Sequence, residues 1–339
     1  MTTRRDFIKN MSAAGLMTSI PAVNFPQMNQ QIDTNKSGEP KIWAMLLHLS
    51  VNMWRKYYND LQFDESVWNA ALNKMVESDL NMIVIDLGDG IIYDSHPEIA
   101  VNNAWSTAKL KDELKKIRDM GLEPIPKLNF STGHDAWLKD YGRMVSSKKY
   151  YDVCRDIIEE VTYLFDNPRF FHLGMDEEKE QYMSPENYMI IRLNQVYWGD
   201  IYFLISEVFK NGSRPWVWQD YIRTHLDDFA KHMPKSVLQS NWYNRSNFTK
   251  PYNSSVQAYL NLENLGYDQL PGGSNYYEGT DDCFLSNVKF CTEHVADERL
   301  YGFIQSPWKH TTGENREHLL RSIELAGEGK KWYEANRKG

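Results

Sequence analysis

From residue 42 to residue 336, short apolar runs alternate with longer amphipathic stretches, and each kind occurs eight times. This alternation restricts the possible folds more than any other feature of the chain. Strands are predicted over residues 42–49, 81–87, 122–129, 170–175, 214–219, 236–242, 267–270 and 300–306. Helices are predicted over 64–78, 110–120, 150–165, 188–210, 226–232, 256–265, 282–296 and 316–336. The run Met82-Ile83-Val84-Ile85 is continuously apolar, as a strand buried on both faces should be. Val67, Ala71, Leu72 and Met75 recur at helical spacing behind Asp64, a residue suited to an N-cap. Gly121 follows its helix where a C′ glycine belongs.

Strict alternation of this kind predicts a single-domain (β/α)8 TIM barrel over residues 41–339. The competing architecture is an open, doubly wound sheet. That fold usually carries a glycine-rich phosphate loop after its first strand, and none is present. In a barrel the βα loops gather at one end, so residues just after each strand are the candidates for chemistry.

Composition narrows the function. A net charge of −8 gives no reason to expect a nucleic-acid partner. Cys154, Cys283 and Cys291 are too few for a disulfide framework; Cys283 and Cys291 could pair, or all three could be buried thiols. No motif with metal-ligand spacing occurs, and no cofactor is implied. Eleven tryptophans and twenty tyrosines are many for 339 residues. Large aromatics fill cores, and they also stack on the C–H faces of sugars.

The predicted strand ends bring particular groups together. Asp89 follows the second strand, His134 the third, and Asp176 and Glu177 the fourth. Trp218 and Asp220 close the fifth, Trp242 ends the sixth, Tyr276 and Tyr277 follow the seventh, and Trp308 follows the eighth. Two adjacent acids can divide their labour, one staying charged to position a group while the other donates a proton. With aromatics around them, they suit a pocket for a molecule that is polar at its edges and apolar on its faces. Carbohydrate fits best. The plainer alternative is a strand followed by an acidic helix start.

Two segments carry a family resemblance. Leu122-Glu123-Pro124-Ile125-Pro126-Lys127-Leu128-Asn129, followed by Gly133-His134, resembles the third-strand signature of family 20 glycoside hydrolases, the β-N-acetylhexosaminidases. His172-Leu173-Gly174-Met175-Asp176-Glu177 resembles that family's acidic pair. The order of Trp218 and Asp220, the tyrosine loop and Trp308 is similar too, so the likeness runs from residue 42 to the C-terminus. It implies an exported, retaining, substrate-assisted glycosidase acting on terminal N-acetylhexosamine. Glu177 would be general acid and then base, its pKa raised by its charged neighbour. Asp176 would orient the 2-acetamido group, and Tyr276 or Tyr277 would hold its carbonyl. Trp218, Trp242 and Trp308 would wall in the sugar. His134 would support the acids, and Asp89 and Asp220 would belong to the substrate site or its support.

The sequence departs from that family in places. Where its first strand ends in an arginine that grips sugar hydroxyls, this chain reads Leu49-Ser50-Val51-Asn52, with Arg55 the nearest arginine. The strand-eight Trp-x-Glu, another hydroxyl ligand, is Trp308-Lys309-His310. The residue before the acids is Met175 rather than glycine, and the third strand ends Lys127-Leu128-Asn129 where the family has acids. Two other readings stay open: a sugar-binding barrel without turnover, and a glycosidase for sugars lacking an acetamido group, with Asp89 or Glu278 as nucleophile.

Thr3-Arg4-Arg5-Asp6-Phe7-Ile8-Lys9 resembles a twin-arginine export signal, and a short, weakly apolar stretch follows it. Residues 1–30 are therefore expected to be a signal recognised by the twin-arginine machinery, and 31–40 a polar linker. The expected location is periplasmic or otherwise exported from a bacterium. No transmembrane span is expected beyond the signal.

Overall fold

The computed structural model describes residues 40–53, 57–183 and 188–336. The expected export signal, nearly all of the expected linker, and Arg55 lie outside the described residues. Eight strands alternate with eight main helices: β1 (Ile42–His48), α1 (Glu65–Glu77), β2 (Met82–Asp86), α2 (Thr107–Asp119), β3 (Glu123–Lys127), α3 (Lys148–Leu164), β4 (Phe170–His172), α4 (Asn194–Lys210), β5 (Arg214–Trp218), α5 (Leu226–His232), β6 (Leu238–Ser240), α6 (Ser254–Asn264), β7 (Gly272–Gly273), α7 (Cys283–His294), β8 (Gly302–Gln305) and α8 (Arg316–Asn336).

All neighbouring strands run parallel, in the order β6-β5-β4-β3-β2-β1-β8-β7. Single parallel bridges, Gln239 to Gln269 and Trp242 to Gly272, join the two ends of the sheet. The result is a (β/α)8 barrel, closed by a few hydrogen bonds on the β6–β7 side.

Side chains alternate across each strand and so build two apolar layers. Ile42, Ala44, Leu46, Met82, Val84, Ile125, Phe170 and Trp216 fill the barrel interior. Trp43, Met45, Leu47, Ile83, Ile85, Phe171 and Val217 point outward and pack under the helices. With both faces covered, each such side chain contributes roughly 1.5–3 kcal/mol of transfer free energy. Helix starts are set by capping: Asp64 accepts from the amides of Ser66 and Val67, Ser106 from Lys109, and Ser147 from Tyr150. The three cysteines are buried free thiols. Among the described residues no helix is long and apolar enough to cross a membrane.

Several expected boundaries shift, three of them with a clear physical reason. Strand β4 ends at His172 rather than residue 175, because Gly174 (φ 71°) and Met175 (φ 74°) leave the β region. Helix α4 begins at Asn194, not at residue 188. Just before it the Arg192 amide donates to Glu178 Oε1 at 2.7 Å, which ties the backbone to the loop after β4. The seventh strand is Gly272–Gly273 rather than residues 267–270, of which Gln269 makes only single bridges. A side chain at Gly272 would meet Trp218 Cζ3 at 3.0 Å, so the strand runs where that ring leaves no room for a Cβ.

Candidate active site

The inward residues at the ends of β1 to β5 lie in register: His48 beside Asp86, Asp86 beside Lys127, Lys127 beside His172, and His172 beside Trp216. They form a buried polar layer on top of the apolar interior. Lys127 Nζ donates to Asp86 Oδ2 at 2.5 Å, and His48 Nδ1 lies 3.4 Å from the same oxygen. Burial lowers the pKa of His172, and the Lys127 charge lowers it further. Its neutral ring accepts from the Gly174 amide at 3.0 Å through Nδ1. This layer is the floor of the site.

One layer higher stands Asn129. Its Nδ2 donates to Asp176 Oδ1 at 2.8 Å, and its Oδ1 accepts from the amides of Ser131 (3.1 Å) and Met175 (3.2 Å). The chain then turns through Gly174, Met175 and Glu177, all at positive φ. Such strain persists only where surrounding contacts enforce it. Here the Glu177 amide donates to Asp220 Oδ1 at 3.2 Å, while Asp220 Oδ2 is paired with Lys179 at 2.7 Å. On the other side Glu178 is buried against Arg192, which also reaches Asp200 and the Phe130 carbonyl. Asp176 is thereby turned inward, and Glu177 is left more open, with side-chain exposures of 9% and 24%.

His134 reaches both acids. Its Nδ1 lies 3.1 Å from the Met53 carbonyl, so Nε2 faces the pair, 3.3 Å from Glu177 Oε2 and 3.8 Å from Asp176 Oδ2. Burial works against a charged ring, but the charges of Asp176 and Glu177 outweigh it and raise the His134 pKa to about 9. Burial also pushes the Asp176 carboxyl up, the His134 charge pulls it back, and the Glu177 charge adds to the rise. Asp176 is the more enclosed of the two acids.

The acids open into a cavity of about 800 Å³. Asn129, His134, Asp176, Glu177, Trp242, Tyr276, Tyr277 and Trp308 line it, together with Met53, Asn244, Lys309, His310, Glu314 and Asn315. Of the sequence-predicted residues, His134, Asp176, Glu177, Trp242, Tyr276, Tyr277 and Trp308 therefore meet around one space. Three others stand outside that lining. Trp218 is packed behind Trp308 and against His172, with ring centroids 5.6 and 4.8 Å apart. Asp220 holds the Glu177 backbone from behind. Asp89 is buried under the loop after β1, where it accepts from Ser50 (2.5 Å), Asn52 (2.8 Å) and Tyr57 (3.2 Å). Asp89 thus has protein donors on both oxygens and stands outside the cavity lining.

Sequence reasoning left Asn129, Asn244 and Lys309 out of the site. For Asn129 a signal existed, since it stands where the resembled family has an acid. Nothing in the local sequence marks Asn244.

No protein-family description matches this sequence, and no curated protein sequence does. Solved structures do match in fold. A family 20 β-N-acetylhexosaminidase from Streptomyces coelicolor A3(2) superposes with a TM-score of 0.60 at 13% identity, over 84% of this chain and 64% of that one. A β-N-acetylhexosaminidase from Bacteroides fragilis matches with a TM-score of 0.57 at 14% identity, over 88% and 71%. A family 20 exo-β-N-acetylglucosaminidase from Vibrio harveyi gives 0.56 at 13%, over 84% and 54%. This chain thus spans about half to two thirds of the length of the first relatives it resembles. At such identities the shared feature is the barrel: the chain has the fold on which those hexosaminidases are built.

Proposed function

We propose that this protein is a retaining glycoside hydrolase that removes terminal N-acetylhexosamine by substrate-assisted catalysis. The observation that carries the proposal is the pair Asp176 and Glu177 at the mouth of an aromatic-lined cavity, one acid turned inward and the other open to it. Glycosidases with two acids on one ligand side need only one proton donor when the sugar supplies its own nucleophile. Glu177 gives its proton to the glycosidic oxygen as the C1–O bond breaks. The acetamido carbonyl oxygen attacks C1 and forms a cyclic oxazolinium. Asp176 accepts a hydrogen bond from the acetamido N–H and offsets the positive charge that develops there. Glu177, now a carboxylate, takes a proton from water as the water oxygen bonds to C1, and the ring reopens with retained configuration. Trp242, Trp308 and the tyrosines Tyr276 and Tyr277 enclose the sugar. The same proposal includes export by the twin-arginine route, supported by the order Arg4-Arg5-Asp6-Phe7-Ile8-Lys9.

Aryl β-N-acetylglucosaminide, β-N-acetylgalactosaminide and plain β-glucoside, each given to the purified protein, separate the alternatives. The proposal expects turnover of an acetamido sugar and inhibition by a thiazoline that mimics the cyclic intermediate. Turnover confined to plain glycosides, or insensitive to the thiazoline, would remove it. For export, replacing Arg4 and Arg5 with lysine should leave the protein in the cytoplasm of a bacterial host; unchanged export would reject that part.

A further inference from the structure

The wall facing the acids carries two cations seated on tyrosine rings. In the ring of strands β8 lies opposite β4, so the loops after β7 and β8 face Asp176 and Glu177 across the cavity. Lys309 Nζ sits 4.5 Å from the ring centroid of Tyr276, and the Arg245 guanidinium lies 3.9 Å from that of Tyr277. The two tyrosine rings meet edge to face at 5.0 Å, so the four side chains form one unit. Contacts of this kind hold a cation in place without neutralising it. Among the described residues neither Lys309 nor Arg245 makes an ion pair, whereas Lys179, Arg192, Arg214, Arg299 and Arg321 all do. Glu314 and the titratable His310 also line the cavity here and Glu278 follows Tyr277, and among the described residues neither acid makes an ion pair with Lys309 or Arg245.

Two buried polar atoms of the cavity lining also lack partners among the described residues. Trp242 Nε1 and Asn244 Oδ1 make no hydrogen bond, although both residues line the cavity. Orphaned groups of this kind point to a ligand. The lining offers the Lys309 cation and the Trp242 indole N–H, which need acceptors.

We propose that the glycan bound here carries an oxyanion, a sulfate ester or a carboxylate, that lies against Lys309 and Arg245 while Tyr276 and Tyr277 stack on the sugar. The inference rests on the reading that this cavity binds an N-acetylhexosamine glycan, and it specifies the class of that glycan. Charge-assisted hydrogen bonds are roughly twice as strong as neutral ones, so a pair of fixed cations favours an anionic over a neutral sugar.

Calorimetric binding to the full chain tests this without relying on turnover. The ligands are N-acetylglucosamine, its 6-O-sulfate, and a disaccharide in which N-acetylglucosamine is β-linked to a uronic acid. At least one anionic ligand should bind about 10-fold tighter than the neutral sugar, and the preferred one identifies the source of the oxyanion. Raising salt to about 0.3 M should shrink that preference. The substitutions Lys309→Gln, at a half-buried position, and Arg245→Gln, at an exposed one, together should remove most of it, with the thermal transition little moved. Neutral and anionic ligands binding alike, a preference that survives the double substitution, or no sugar bound at all would overturn the inference. Hydrolysis of neutral aryl N-acetylglucosaminide is read separately. Turnover without anion preference sinks only this inference, and anion preference without turnover sinks only the hydrolytic one.

Discussion

Asn129 holds Asp176: its amide nitrogen donates to Oδ1 at 2.8 Å while its amide oxygen anchors the Met175 N–H at 3.2 Å. The arrangement depends on Gly174. A Cβ there would lie 2.1 Å from Asn129 Oδ1 and 2.7 Å from its Cα, at a φ of 71° that L side chains rarely adopt. Gly174→Ala must therefore displace Asn129 and release Asp176. Urea denaturation should show a loss of about 2 kcal/mol or more, in the range of severe backbone and packing changes. Turnover should fall beyond what the lost folded fraction explains. A variant of wild-type stability and activity would show that Asn129 does not position the acid.

His134 links the site to pH. Its folded pKa of about 9 lies above the ordinary 6.5, so the folded protein holds a proton that the unfolded chain has released. The stabilisation is complete below about pH 6.5, declines as pH rises, and is gone above about pH 9. A shift of this size corresponds to something on the order of 3 kcal/mol. Unfolding free energies measured at pH 6 and pH 9.5 should differ more in the wild type than in His134→Gln. Equal differences in the two proteins would place the proton elsewhere.

Arg192 joins Glu178, next to the acids, to Asp200 on α4 and to the Phe130 carbonyl. All three side chains of this ion network are almost wholly buried. Removing the cation leaves two carboxylates in a dry environment, so Arg192→Met should cost about 3–5 kcal/mol. Chemical denaturation reads this directly. A loss below about 1 kcal/mol would mean that the network does not hold the loop after β4.

The barrel was legible because its strands are buried on both faces, so their apolar runs stand out against the helical periodicity between them. The seventh strand was misplaced for a physical reason: Gly272 and Gly273 have no β-branched signature and are selected by the Trp218 and Phe284 side chains against them. The start of α4 was misplaced because a tertiary contact, Arg192 to Glu178, holds the preceding residues out of the helix. At the candidate site, strand order and the family resemblance singled out the acids and His134, which line one cavity. That Asp89 faces protein donors rather than the cavity, and that Lys309 and Arg245 each sit on a tyrosine, depends on contacts between distant segments that no local pattern records.

The most direct measurement of the central claim is the hydrolysis rate of an aryl β-N-acetylhexosaminide by the wild-type protein and by Glu177→Gln. The substitution keeps the shape of the side chain and removes its exchangeable carboxyl proton. The account predicts measurable turnover by the wild type and a fall of about 10²–10⁴-fold in the variant, the usual size of a general-acid contribution. A wild-type protein without turnover, or a variant that hydrolyses the substrate at the wild-type rate, would contradict it.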